Sequence, residues 1–158
     1  MSYRIAVVGL GKIATDQHLP CIAKNHDFTL VAGVSRNATL PDVPCFKSIV
    51  ALAESGIKVD AVSLCTPPSV RLAMATSALT AGYHLLIEKP PTPTMGEAHA
   101  IVAAAAKAGR VAYFTWHSRY NKAVDEAQRR LAGKSISRMK VTWREDVRHW
   151  HPGQDWIW

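Results

Sequence analysis

The sequence predicts an α/β chain: a doubly wound parallel sheet, then the start of an incomplete α+β domain. Three observations lead there. Apolar, β-branched runs recur, helix-like segments stand between them, and a glycine-rich turn follows the first run. Tyr3–Val8 is a largely apolar run that stops at Gly9, as expected of a central parallel strand covered on both faces. Similar runs occupy Phe28–Val34, residues 61–65, His84–Ile87 and residues 111–114. Helices are expected from a start at Gly11, then over 47–55, 69–81 and 94–108. The last of these carries a capping box, Thr94 with Glu97 three residues on, and Gly109 stands where a helix stops. Beyond the fifth strand the pattern changes to one helix, 121–131, and one long strand, 135–146. The expected boundary therefore divides residues 1–118 from residues 119–158.

Composition sets limits on this reading. The chain has 158 residues, 48% hydrophobic and 20% charged, which excludes disorder and collagen-like repetition. A chain of this size buries roughly 68–70% of the surface it exposes when unfolded, so no staple is required. Cys21, Cys45 and Cys65 are odd in number and have no paired spacing, arguing against a disulfide framework and against a zinc finger. Neither a signal peptide nor a membrane span is expected, since no basic stretch precedes a long apolar one and no run of about 18 apolar residues occurs. The cytoplasm is the expected compartment. The net charge is +7, with ten basic against five acidic residues in 110–158. No basic helix or RNA-binding signature accompanies that surplus, so nucleic acid is not an expected partner.

In such sheets function gathers where the strands end, because the loops there open a crevice. Gly9-Leu10-Gly11-Lys12-Ile13-Ala14 follows a strand and opens a helix, the context that a dinucleotide fingerprint of a Rossmann sheet needs. The first glycine allows the turn, the second lets backbone approach a diphosphate, and a small Ala14 lets helix and strand pack closely. Ser35 and Arg36 end the second strand, where an NAD-specific site would carry Asp or Glu. A hydroxyl and a guanidinium suit a 2′-phosphate, so NADP is the expected cofactor, with NAD possible. The competing reading of Arg36 is a solvated loop residue.

Thr66-Pro67-Pro68 holds the chain extended after the strand at 61–65, as a rigid turn and as a wall for the cofactor. Glu88-Lys89-Pro90-Pro91 sets a lysine beside a carboxylate at another strand end. There it is positioned to donate to a substrate hydroxyl or help lower its pKa. His149 and His151 alternate along the chain but lack a third ligand nearby, so no metal is expected. His18, His26, His84 and His99 are expected to be structural.

Gly9-x-Gly11-x-x-Ala14, Thr66-Pro67-Pro68 and Glu88-Lys89-Pro90, in that order, resemble the Gfo/Idh/MocA oxidoreductase family. Residues 16–20, 115–119 and 144–158 further resemble its aldose 1-dehydrogenases acting on D-galactose and L-arabinose. The resemblance implies NADP-dependent oxidation of an aldose at C1 to a lactone, with Lys89 at the reacting centre. It implies that His117, Glu145, Trp150 and His151 line the sugar pocket and that Ser35 and Arg36 meet the 2′-phosphate. Thr66, Pro67 and Glu88 are counted with the cofactor residues. A small aldose is the expected partner. Family members continue through an open sheet bearing an aspartate and an asparagine, and this chain is expected to be a truncated form whose oligomeric state and activity depend on that sheet. The alternative is a non-catalytic dinucleotide-binding or sugar-sensing protein of the same fold.

Overall fold

The computed structural model describes residues 2–150, 152 and 153, without the side chains of Val147 and Trp150. The chain divides into two compact units, Met1–Trp116 and His117–Trp158.

The first unit is built on six parallel strands: β1 Tyr3–Val8, β2 Phe28–Val34, β3 Cys45–Phe46, β4 Ala61–Leu64, β5 His84–Ile87 and β6 Ala112–Phe114. Their order across the sheet is β3-β2-β1-β4-β5-β6. Strand β1 is central, with Val8 opposite Val34 on one side and Leu64 on the other. Ladders on both edges and helices on both faces explain its nearly continuous hydrophobicity. The two-residue β3 was not expected from the sequence. It pairs with β2 through Gly33 opposite Cys45 and Val34 opposite Phe46.

The helices are capped by the chemistry their sequences carry. Helix α1, Leu19–Lys24, follows a π-helical turn over Ala14–His18. Helix α2, Ile49–Glu54, starts at Ser48, whose Oγ accepts from the Ala51 amide at 3.1 Å. Helix α3, Pro68–Thr80, has proline in its first turn, where no amide hydrogen is needed. Helix α4, Met95–Lys107, starts at Thr94, whose hydroxyl accepts from the Glu97 amide at 3.3 Å, so that half of the expected capping box forms.

Two cores flank the sheet. Val8, Val34, Leu64 and Ile87 pack with Leu52 of α2, Ala75, Ala78 and Leu79 of α3, and Ile101 and Ala105 of α4. On the other face Val7 and Cys65 meet Ala14, with Leu19 and Ile22 of α1 packed against them. Leu52, Leu64, Ile87 and Ile101 are almost completely buried, and each such side chain contributes about 1.5–3 kcal/mol. The strand order reverses between β1 and β4. The loops leaving these two strands diverge there and open the crevice.

The second unit holds a 3₁₀ turn, His117–Tyr120, helix α5, Lys122–Leu131, and helix α6, Val147–Trp150. Asn121 caps α5 through a 3.4 Å bond from the Ala123 amide. The expected strand over 135–146 is a correction: this segment carries no strand. A strand is defined by its ladder, and among the described residues none pairs with it. No helix among the described residues is long and apolar enough to cross a membrane.

Candidate functional site

The ends of β1, β2 and β4 surround a cavity of about 650 Å³, lined by Gly9, Gly11, Ser35, Arg36, Thr66 and Pro67 among others. That volume suits a small-molecule site. Six of the sequence-predicted cofactor residues therefore share one space.

The two glycines serve different purposes. Gly9 has φ +88°, and a Cβ there would stand 2.7 Å from Thr66 Cγ2 and 3.0 Å from the Thr66 nitrogen. Protein geometry alone demands glycine. At Gly11 an added Cβ meets no protein atom within 4 Å, so the backbone there is open to approach. Thr66 lines the same cavity, and its Oγ1 is buried with no hydrogen-bond partner among the described residues. An open cradle beside Gly11 and an orphaned hydroxyl fit a diphosphate, which accepts hydrogen bonds from amides and hydroxyls.

Ala14 is fully buried against Val7 and Cys65, the close approach its small size allows. Lys12 pairs with Asp16, and Ile13 is partly exposed. These three residues are not among the cavity lining.

After β2 the chain turns on Ser35, whose Oγ accepts from the Ala38 amide at 3.2 Å. Arg36 is exposed, and Lys47 also lines the cavity. Asp and Glu are absent from the described lining residues, so a cofactor phosphate would meet no carboxylate there.

The end of β5 is organised differently. Glu88 was expected among the cofactor residues, but its carboxylate is turned to protein donors. Oε1 accepts from Thr115 Oγ1 at 3.1 Å and lies 3.1 Å from His18 Nε2, while Oε2 accepts from the Lys89 amide at 3.0 Å. The other nitrogen of His18 lies 2.9 Å from the hydroxyl of the buried Ser63. Burial opposes charge on His18, but bonding to Cys65 and Glu88 outweighs it and raises the imidazole to about 10. Burial likewise opposes charge on Glu88, and its bonds to His18 and Thr115 bring the carboxyl below its ordinary value. The result is an imidazolium–carboxylate pair under the exposed Lys89, whose peptide bond to Pro90 is cis.

Arg71 is only 3% exposed. Its Nε donates to the Thr66 carbonyl at 2.7 Å, and its Nη1 donates to the carbonyls of Glu88 and Pro90. One guanidinium thus joins the loops after β4 and β5. Burial pulls its pKa down, and the Glu88 charge acts against that.

The remaining predicted residues belong to the second unit. His117 opens the 3₁₀ turn and Glu145 precedes α6; both are exposed. His151 lies outside the described residues, as does the side chain of Trp150.

A family model described as an oxidoreductase family with an NAD-binding Rossmann fold matches residues 3–116. The chain belongs to the Gfo/Idh/MocA family. Galactose 1-dehydrogenase of Pseudomonas fluorescens is 42% identical over 159 residues, covering 98% of this chain and 50% of the relative. D-glucoside 3-dehydrogenase of Escherichia coli K12 is 27% identical, covering 88% and 42% respectively. The crystal structure of a D-galactose-1-dehydrogenase protein from Rhizobium etli superposes with TM-score 0.90 at 49% identity, over 100% of this chain and 52% of that one. The chain spans 42% to 52% of the length of these relatives.

Proposed function

We propose that this chain is the coenzyme-binding part of an NADP-preferring dehydrogenase, with NAD as a weaker alternative, that oxidises an aldose at C1 to the aldonolactone. The sugar is of the D-galactose or L-arabinose type. The observation that carries this reading is the 42% identity to a galactose 1-dehydrogenase over 98% of the chain. Three free cysteines suit a reducing compartment, and the cytoplasm is the proposed location.

Gly9, Gly11, Thr66 and Pro67 would hold the diphosphate, with the backbone through Lys12, Ile13 and Ala14 opening the helix beside it. Ser35 and Arg36 would hold the 2′-phosphate. When bound, the nicotinamide supplies a hydride acceptor. Lys89 orients the anomeric hydroxyl and helps lower its pKa, and Glu88 fixes the lysine through its amide. His117, Glu145 and His151 supply donors and acceptors to the ring hydroxyls, and Trp150 supplies an apolar face. A sugar lacking one hydroxyl leaves such groups unpaired, which is a strong basis for selection.

The test has two arms: titrating the chain with NADPH and NADH by fluorescence, and assaying NADP reduction with D-galactose, L-arabinose and D-glucose. Tighter NADPH than NADH binding is expected of the chain, and galactose- or arabinose-dependent reduction of the longer enzyme it is proposed to belong to. Binding without turnover by the chain fits either a coenzyme-binding part separated from the rest of its enzyme or a non-catalytic dinucleotide-binding or sugar-sensing role, which assay of the longer enzyme separates, and no binding of either coenzyme at millimolar concentration overturns the proposal.

A further inference from the structure

We infer that Lys47 is a second cationic ligand for the coenzyme's 2′-phosphate, acting beside Arg36 to set the preference for NADP. The inference rests on the coenzyme reading above and adds a residue to it.

The placement follows from β3. Strands β2 and β3 run in parallel with Val34 opposite Phe46, and the Ser35 amide donates to the Phe46 carbonyl at 2.9 Å. The residues that follow, Ser35 and Arg36 on one side and Lys47 on the other, leave the sheet together. Lys47 Nζ donates to the Arg36 carbonyl at 2.7 Å, so the ammonium is tied to the backbone of the residue whose guanidinium it accompanies. Both line the cavity together with Ser35.

Chemistry then decides what this corner recognises. An ammonium has three N–H donors, and the Arg36 carbonyl takes one. Two positive charges with no carboxylate among the described lining residues suit a group carrying close to two negative charges. A ribose hydroxyl has no charge to reward them, whereas a 2′-phosphomonoester does. Lys47 adds a compact charge beside the planar fork of Arg36, so the two are not redundant. If Lys47 only tethered the Arg36 backbone, its loss would act solely through Arg36, and Lys47→Met would then leave 2′,5′-ADP affinity unchanged in an Arg36→Ala background.

The experiment compares 2′,5′-ADP with 5′-AMP by titration calorimetry on the 158-residue chain, in the wild type, Lys47→Met and Lys47→Arg, with thermal melting to verify that each folds. Lys47→Met is expected to weaken 2′,5′-ADP about tenfold, the lower end for a charge-assisted contact, while 5′-AMP changes less than about twofold. Lys47→Arg keeps the charge and recovers most of the loss. Added salt weakens 2′,5′-ADP binding more in the wild type than in Lys47→Met. Unchanged 2′,5′-ADP affinity in Lys47→Met, or equal weakening of both nucleotides, overturns the role of Lys47 while leaving the coenzyme reading standing. A wild type that binds neither nucleotide overturns both.

Discussion

His18 Nε2 lies 3.1 Å from Glu88 Oε1, joining the turn after β1 to the end of β5 across 70 residues of chain. Both side chains are largely withdrawn from solvent, so their charges depend on each other. This pair makes stability depend on pH in a predictable direction. The folded imidazole titrates near 10 against an ordinary 6.5. Below 6.5 it is charged in both states and its contribution is complete. As the pH rises toward 10, the unfolded chain has lost the proton and the folded chain still holds it, so stability falls. Glu88 acts oppositely: its contribution is present above its ordinary 4.5 and is lost as the pH falls through the lower folded value. Urea unfolding of wild type and His18→Gln between pH 6 and pH 10 should show the slope in the wild type only. At pH 6 the variant should be less stable by about 1.5–3 kcal/mol. Parallel pH profiles would contradict the pairing.

Gly9 and Gly11 should respond differently to alanine. Gly9→Ala meets both a left-handed backbone and the Thr66 contact, and is expected to lose about 1–3 kcal/mol of stability. Gly11→Ala meets no protein atom and should stay within about 0.5 kcal/mol of wild type, yet bind NADPH at least tenfold more weakly. Denaturant midpoints and fluorescence titration separate the two effects. Full NADPH affinity in a folded Gly11→Ala would remove the diphosphate from this turn.

Arg71→Met leaves the carbonyls of Thr66, Glu88 and Pro90 without their shared donor. A loss of about 1–3 kcal/mol is expected. Arg71→Lys should recover only part of it, because an ammonium lacks the fork that spans two loops. Chemical denaturation of the three proteins checks this, and equal stability of Arg71→Lys and wild type would show that the fork is unimportant.

On the proposed reading, Lys89→Met in the longer enzyme should retain NADPH binding and lose aldose oxidation, since general acid–base assistance contributes about 10²–10⁴ in rate. Binding and turnover are measured on the same preparation. Turnover within threefold of wild type would exclude Lys89 from the chemistry.

The legible parts of the fold were those written in local sequence. The run Tyr3–Val8, the glycines after it and the Thr94 cap all signal within a few neighbours, and the structure has them where they were expected. Strand β3 was not legible because two residues have no periodicity, and Lys47 beside it was read only as the start of the helix expected over 47–55, which begins at Ile49. The partners of His18, Ser63 and Glu88, were not legible because they lie 45 and 70 residues away. Arg71 sits in a helix where a charge ordinarily faces water; only the loop carbonyls gathered by the fold explain its burial. The strand expected over 135–146 failed because a run of residues does not by itself supply a neighbouring strand to pair with.

The guanidinium of Arg71 also bears on how this chain can vary in length. An inserted residue at 66–68 or 88–91 would displace at least one carbonyl from a donor that serves both segments, so an indel in one disturbs the other. Among the described residues, the turn at 37–44 carries no such shared fastening to these two segments. Natural or engineered insertions are better accommodated there.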